Sequence, residues 1–254
     1  MAPERQAVRA GRGRGAPGRP EGQGPRWLAL ETATRAMGIA LYEDGQLRAE
    51  VCEDVAGRHA EALLPALDAL LRAAGWEPAS LAGVAVSIGP GSFTGLRVGL
   101  ATVKGLCFDE GPRVVPVSTL AGLALQASAP GAVASLLDAR RGEVYAAAWA
   151  GGPSGAPVLA ESVYRAAELA QALPVGATLV VGEGARAVAD AVRADRPDLR
   201  TGPAGETRAR ADAIGRLAAA ALAAGEGVPA ETLVPRYLRR AEAEVQRTGL
   251  ALER

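Results

Sequence analysis

A glycine-rich turn between an apolar run and a helical pattern contains the residue types best suited to hold an anion. Gly89-Pro90-Gly91 follows the apolar run and opens into a predicted helix at Ser92. The first backbone N–H groups of a helix lack partners within it, so they can bind an anion, and Ser92 is suited to cap them. This stretch matches neither the GxxxxGK[ST] nor the GxGxxG phosphate-binding pattern. A capped helix start that needs glycine for the turn is the alternative, and the local residues leave both open.

Two acidic residues at predicted strand ends are candidates for metal or phosphate chemistry. Glu31 is followed by Thr32 at a strand-to-hairpin turn, the pattern with which actin-like ATPases and sugar kinases hold metal and phosphate. The alternative is a polar turn capped by threonine. Asp138 could be a metal ligand or a general base, but a charged turn with Arg140 and Arg141 is the commoner arrangement.

Several chemistries are excluded by the residue inventory. The single histidine, His59, cannot supply a two-histidine metal site, and no GxSxG elbow accompanies it. Cys52 and Cys107 both lie in apolar contexts, which indicates free buried thiols. The sequence motifs therefore support neither hydrolysis nor a zinc site.

Apolar periodicity places these turns in an alternation of strands and helices, which favours mixed sheets packed by helices. Strands are predicted at 27–32, 38–42, 46–52, 81–88, 114–117, 132–137, 143–149, 158–164 and 178–181, and helices at 58–74, 92–108, 165–173, 183–194 and 210–224. Pro65 lies inside the first helix, where proline kinks or delays a helix.

Three glycines in the second predicted helix, Gly95, Gly99 and Gly105, indicate close packing. Each costs roughly 1 kcal/mol relative to alanine, which packing has to offset. Gly95 and Gly99 flatten one face, so another helix can approach it closely. The helix that packs there is either 58–74 of the same chain or a helix of another subunit. The residue pattern does not distinguish these two partners.

Composition and charge predict two lobes and a basic tail. The 254 residues are 49% hydrophobic with 28 basic and 28 acidic side chains, so the whole chain lacks the field of a protein that binds nucleic acid unaided. Residues 1–26 carry six arginines against two glutamates and few large apolar side chains, which predicts a disordered tail. An RNA-touching arm and a solvated or untranslated extension both fit it. The expected lobes are 27–117 and 118–205, with a helix and tail over 206–254 packing back on the first lobe. Without a long apolar run or a secretory signal, a cytoplasmic location is expected.

Four segments resemble the TsaB (YeaZ) family in order and spacing: LALETAT at 28–34, HAEALLPALDALL at 59–71, SIGPGSFTGLRVGLATVKGL at 87–106 and LLDARRGEVYAA at 136–147. PRYLRRAE at 235–242 resembles the C-terminal signature of that family. The resemblance implies an α/β fold of the actin-like ATPase class (ASKHA, ribonuclease H-like), two-lobed, with mixed sheets packed by helices. Glu31 and Ala33 stand where the family usually has aspartate and serine, and both changes weaken a phosphate loop.

The resemblance also implies a non-catalytic role in the synthesis of tRNA N6-threonylcarbamoyladenosine (t6A). Its expected partners are a TsaD-type catalytic subunit, a TsaE-type ATPase, tRNA through the complex, and a second copy when the chain is alone. Helices 58–74 and 92–108 are the implied interface. The implied partner-facing residues are His59, Leu63, Leu67, Leu70, Ser92, Thr94, Gly95, Arg97, Val98, Gly99 and Thr102. On this hypothesis Gly99→Leu disrupts association and leaves the monomer folded.

Rival functions need different features. An actin-fold ATP-dependent small-molecule kinase would use Glu31, Thr32 and Asp138 to hold metal and phosphates. A peptidase lacks both a metal pair and a triad, and an RNA-binding module fits poorly with 4% aromatic residues. No metal or cofactor is expected in the chain's own cleft, and ATP or ADP at the interface of the complex stays open.

Overall fold

The structure is a computed structural model that describes residues 24–108, 111–127, 129–176, 178–192, 195–202 and 208–238. The described part of the chain divides into two compact units. The first unit comprises the residues up to Ile88, Thr94–Val117 and Arg210–Pro235, and the second comprises Gly89–Phe93, Ser118–Ala209 and the residues from Arg236 on. Most of the predicted 1–26 tail lies outside the described residues, and β1 begins at Arg26.

The first unit is a mixed five-stranded sheet with the order β3-β2-β1-β4-β5. Its elements are β1 (Arg26–Glu31), β2 (Ala36–Glu43), β3 (Gln46–Asp54), α1 (His59–Ala74), β4 (Leu81–Gly89), α2 (Phe93–Leu106), β5 (Arg113–Ser118) and α6 (Ala211–Ala223). β1 pairs antiparallel with β2 and parallel with β4, so that Leu30 lies opposite both Ile39 and Val86. The turn Asp44-Gly45 joins β2 to β3, as an Asp-Gly pair between two strands predicts.

Helices cover the first sheet because alternate residues of its strands are apolar on both faces. α1 packs on β2 and β3, and α6 packs on β1 and β2. The cluster beneath α6 contains Trp27, Ala29, Ala40, Tyr42, Ala85, Val117, Ile214, Ala218 and Leu222. Since side chains alternate along a strand, Leu28 and Leu30 of β1 point to the opposite face.

The second unit is another mixed five-stranded sheet, with the order β10-β9-β6-β7-β8. Its elements are α3 (Thr119–Leu125), β6 (Ala132–Asp138), β7 (Glu143–Ala150), β8 (Leu159–Arg165), α4 (Ala166–Ala172), β9 (Thr178–Val181), α5 (Ala185–Val192) and β10 (Leu199–Thr201). Its core joins Leu136 and Ala146 of the sheet to Leu169 of α4 and Val188 of α5. α3 packs against β6 and β7.

The predicted elements are confirmed with ends within two residues, and three expectations differ from the structure. α3 and β10 occupy segments for which no element was predicted. Helix α1 begins at His59 despite Pro65, so the delayed start does not occur. Arg236 to Leu238 group with the second unit, whereas 206–254 was expected to pack on the first lobe, and 239–254 lie outside the described residues. The reason is that Arg236 pairs with Glu161 and Tyr237 stacks on Phe93, both in the second unit.

Candidate functional site

The turn between β1 and β2 is stabilised by a hydrogen bond to its own acidic side chain, Glu31. Glu31 is completely buried, and its carboxylate Oε1 accepts a hydrogen bond from the Ala33 N–H at 2.6 Å. Thr34 Oγ1 lies within hydrogen-bond distance of both the N–H and the carbonyl of Ala36. In a phosphate loop the backbone N–H groups of such a turn donate to the ligand. Here the N–H of Ala33 already donates to a carboxylate of the chain.

Thr32 faces helix α2. Its side chain is fully buried, and its N–H donates to Ser87 Oγ at 3.5 Å. Its hydroxyl is the atom nearest to the position that a Cβ would take on Gly99, and it has no hydrogen-bond partner. The predicted role of Thr32 in holding a phosphate therefore does not fit its placement, because the hydroxyl points under α2.

The turn between β6 and β7 is held by backbone contacts. Asp138 Oδ1 accepts from the Arg140 N–H at 2.7 Å. The Ala139 N–H donates to the Glu143 carbonyl and the Glu143 N–H donates to the Arg140 carbonyl, both at 3.0 Å. Arg140 and Arg141 adopt left-handed conformations with φ of 67° and 56°. The sequence pattern predicted pairing of Asp138 with an arginine, and the contact is with the backbone of Arg140. Asp138 belongs to the second unit, whereas Glu31 and Thr32 belong to the first.

Four predicted partner-facing residues of α1 are buried in the first unit. His59 is 2% exposed, with Nε2 lying 3.4 Å from the Ala36 carbonyl oxygen, where a protonated Nε2 donates. Leu63, Leu67 and Leu70 are each 4% exposed or less. A partner could not reach these side chains without displacing α1, so their burial does not favour the predicted contact, and their assignment to the interface stays a prediction. The apolar stripe of the helix is the side that packs on the chain's own sheet.

The exposed face of α1 has a different composition. Leu64 is 57% exposed, Ala60 and Pro65 are exposed beside it, and Asp68 pairs with Arg72 at 3.0 Å on the same side. Sequence spacing alone does not mark this surface, because Leu64 lies about 100° around the helix from Leu63 but only about 20° from the buried Leu71.

The glycines of α2 also face inward. Gly95 and Gly99 are buried. A Cβ on Gly99 would overlap the hydroxyl of Thr32 and would lie 3.3 Å from Thr32 Cγ2. At Gly99 the flattened face is therefore filled by Thr32, the residue after β1, and the assignment of the two glycines to the interface stays a prediction. Gly99→Leu would disrupt the first unit itself, which contradicts the expectation of a folded monomer. The other predicted residues remain at the surface: Ser92, Thr94 and Arg97 are exposed, and Val98 and Thr102 are half-buried.

Within the described ranges, no group of three or more His, Cys, Asp or Glu side chains is placed to hold a metal ion. Cys107 is buried, and burial raises the pKa of its thiol to about 11. A protonated thiol is a poor nucleophile at neutral pH. Among the same residues, none of the helices combines the length and apolar character needed to cross a bilayer.

Comparison with known sequences relates the chain to proteins of tRNA modification. Residues 51–177 match the family described as "TsaD: tRNA N6-adenosine threonylcarbamoyltransferase". The tRNA threonylcarbamoyladenosine biosynthesis protein TsaB of Escherichia coli K12 is 36% identical over 125 residues, which are 47% of this chain and 53% of that protein. The protein of the same name from Bacillus subtilis 168 is 34% identical over 119 residues, 46% of this chain and 52% of its own length.

A solved structure extends the likeness over both units. YeaZ from Pseudomonas aeruginosa is 30% identical, with a TM-score of 0.70 over 84% of this chain and 100% of that one. The chain belongs to the TsaB (YeaZ) family. Its two mixed sheets packed by helices accordingly have the actin-like, ASKHA-type fold, so the predicted fold class is confirmed.

The matches to the TsaB relatives cover only part of the chain and only part of those proteins. The chain spans about half the length of the curated relatives it matches. Residues 51–177, which match the transferase family, include α1, α2 and the β6–β7 turn. The β1–β2 turn with Glu31 lies before this region.

Proposed function

We propose that this TsaB-family chain is a non-catalytic subunit of the complex that synthesises t6A in tRNA. It binds a TsaD-type catalytic subunit and acts together with a TsaE-type ATPase. The names of the TsaB relatives support the pathway. The exposed side of α1 supports the proposal of a binding role, because it presents two neighbouring apolar residues, Leu64 and Pro65, to solvent.

The proposed binding surface consists of the exposed sides of α1 and α2. On α1 it contains Leu64 and Pro65, and on α2 it contains Thr94, Val98 and Thr102. Interfaces are commonly apolar at the centre with polar groups around it, and the Asp68–Arg72 pair gives α1 such a polar border. The same surface is proposed for the association of two copies when the partner is missing.

The rival kinase function is less well supported by the β1–β2 turn. A kinase would need Glu31 and Thr32 to face a metal-bound nucleotide. Instead the Glu31 carboxylate accepts from Ala33 within its own turn, and the Thr32 hydroxyl lies beneath α2. These contacts favour a subunit whose chemistry is supplied by its partner.

Reconstitution tests the proposal. Unmodified tRNA is incubated with a purified TsaD-type subunit, a TsaE-type ATPase and the threonylcarbamoyl-adenylate synthase, with and without this chain. We expect t6A to form only when the chain is present. Equal formation without it would overturn the proposal.

A surface variant tests the proposed binding face by titration against the purified TsaD-type subunit. Leu64→Glu places a charge where an apolar contact is proposed, so we expect affinity for the TsaD-type subunit to fall about tenfold or more. Val175→Glu is the matched control, because Val175 is 97% exposed and belongs to the second unit, whereas the proposed surface belongs to the first. Equal binding by both variants would place the partner elsewhere.

A further inference from the structure

The segment Arg236-Tyr237 lies where the described chain leaves the first unit. Residues Arg210 to Pro235 group with the first unit, and the chain groups with the second from Arg236 onward. The two side chains at this point make separate contacts in the second unit, one ionic and one aromatic. In the sequence they are recognisable only as part of the segment PRYLRRAE at 235–242.

Arg236 is anchored by a buried carboxylate. Its Nη1 lies 2.9 Å from Glu161 Oε2, and the side chain of Glu161 is only 6% exposed. The other carboxylate oxygen, Oε1, accepts from the Ser118 hydroxyl, which in turn accepts from the Ala121 N–H at the start of α3. A buried carboxylate needs a partner, because an unpaired charge is strongly disfavoured away from water. Arg236 is therefore held to β8.

Tyr237 stacks on the first residue of α2. The ring centroids of Tyr237 and Phe93 are 4.9 Å apart, and the ring planes are inclined by 25°. Offset stacking of this kind is a favoured geometry for aromatic pairs. Phe93 begins α2 and ends the glycine turn Gly89–Phe93, so the stack fixes the residue at which the turn becomes a helix.

Two of the five residues of the glycine turn, Gly89 and Gly91, have no side chain that could pack and hold the turn in place. Gly89 has a φ of 115°, which glycine adopts readily and other residues avoid. Such a turn also loses the most conformational entropy on ordering, so side-chain contacts at its ends have to define its position. The Phe93–Tyr237 stack is a contact of this kind.

We infer that Tyr237, held in place by the Arg236–Glu161 pair, is a positioning residue that sets the first turn of α2 for partner binding. This inference rests on the proposed function, because Thr94 and Val98 of the proposed binding surface are in the first two turns of α2. Tyr237 acts through Phe93 and need not contact the partner itself.

Amide hydrogen exchange in the free, full-length chain tests the positioning step. The amides of Arg97 to Leu100 bond to the carbonyls of the first turn of α2. We expect Tyr237→Ala to speed their exchange about tenfold, the size of one aromatic pair, and Tyr237→Phe to leave it unchanged. Tyr164→Ala, which removes a half-buried tyrosine from β8 of the same unit, is the control and should not affect these amides.

If Tyr237→Ala unfolds the second unit, amide exchange in β6 and β7 will also become faster. In that case a second variant, at Glu161, tests the inference. Glu161→Gln preserves shape and removes the charge that holds Arg236. It should speed exchange at Arg97 to Leu100 in the same direction with β6 and β7 still protected. Unchanged exchange at these amides in both variants would overturn the inference.

Affinity for a purified TsaD-type subunit, measured by titration calorimetry, links the positioning to function. We expect Tyr237→Ala to weaken binding about tenfold and Tyr237→Phe to bind like the wild type. Faster exchange with undiminished affinity would overturn the role in partner binding. Failure of the wild-type chain itself to bind would instead overturn the proposed function, and the exchange data would still decide whether Tyr237 orders α2.

Discussion

At the residue scale, Gly99 is a point of close approach between helix α2 and Thr32, the residue that follows β1. A Cβ at this position would overlap the Thr32 hydroxyl, and Thr32 is fully buried with its N–H directed at Ser87. Glycine in a helix interior costs roughly 1 kcal/mol relative to alanine. The close approach of α2 to the end of β1 offsets this cost, because it allows Leu96 and Leu100 on either side of Gly99 to be buried.

The variant Gly99→Ala tests this contact. Overpacking costs about 1–3 kcal/mol and the better helix propensity returns about 1, so we expect a net loss of about 1 kcal/mol in the free energy of unfolding. Gly105→Ala on the same helix is the control. No atom lies within 4 Å of a Cβ there, so this change should stabilise the chain, by up to about 1 kcal/mol. Urea unfolding measures both variants.

A double variant identifies the group responsible. Thr32→Ala removes the hydroxyl and the methyl that a Cβ on Gly99 would meet, so Gly99→Ala should cost less in that background. The same cost in both backgrounds would show that Thr32 is not the residue that excludes a side chain at Gly99.

The site could be predicted only partly at this scale. Helix glycines indicate close packing because their cost has to be offset, but the sequence does not say that the neighbour is Thr32. Likewise, Glu31 is recognisable as an acidic residue at a strand end. Whether its carboxylate faces a ligand or the N–H of Ala33 depends on side-chain geometry that no spacing records.

At the element scale, α6 is joined to the first sheet by a polar network as well as by apolar contact. The Tyr42 hydroxyl lies 2.7 Å from Asp212 Oδ1 and 2.9 Å from the Asp212 carbonyl oxygen. Glu50 pairs with Arg210, and burial raises the pKa of Glu50 despite that partner. These contacts fix the start of α6 against β2 and β3, because a buried polar group that lost its partner would be strongly disfavoured.

The network predicts a loss of stability at alkaline pH. Burial raises the pKa of Tyr42 above its ordinary value, and its hydrogen bond to Asp212 raises it further. A raised pKa means that the folded state keeps a proton that the unfolded state releases above about pH 10. The contribution is therefore complete below pH 10 and is lost as the pH rises, by about 1.4 kcal/mol per pH unit for one proton.

Tyr42→Phe checks the assignment. Its unfolding free energy, measured in urea from pH 8 to 11, should fall less steeply above pH 10 than that of the wild type, by about 1.4 kcal/mol per pH unit. Tyr164 and Cys107 also have pKa values raised by burial, so some slope remains in the variant. An unchanged slope would mean that Tyr42 does not titrate differently in the two states.

Elements were the most predictable feature of this chain. Period 2 and period 3.6 patterns with Gly and Pro at the ends locate the long strands and helices within two residues. α3 was missed because Thr119–Leu125 is short and almost wholly apolar, so it has no polar face that would show a period. β10 was missed because three residues are too few for any alternation to be visible. The inward faces of α1 and α2 were identifiable as apolar, but the spacing could not tell whether the chain itself or a partner covers them.

At the scale of the whole molecule, each unit is built from segments that are separated in the sequence, so its folding requires residues from distant parts of the chain. The first unit is assembled from three separated segments, and the last of them, Arg210–Pro235, contains α6. Sequence pattern predicts a helix there. The switch to the second unit at Arg236 was not predictable, because it depends on contacts with Glu161 and Phe93 that are distant in sequence.

Truncation tests this division. A chain ending at Ala209 lacks α6, so Trp27, Ala29 and Tyr42 lose their cover, together with the apolar contacts of Ile214 and Leu222. Each large side chain that loses burial costs about 1.5–3 kcal/mol, and a typical domain is stable by only about 5–15 kcal/mol. We expect the amides of β1 and β2 to lose protection from hydrogen exchange. A chain ending at Pro235 keeps α6 and should retain that protection while lacking Tyr237. Persistent protection of β1 and β2 in the shorter chain would show that the first sheet is stable without its third segment, and that α6 serves some purpose other than completing the core.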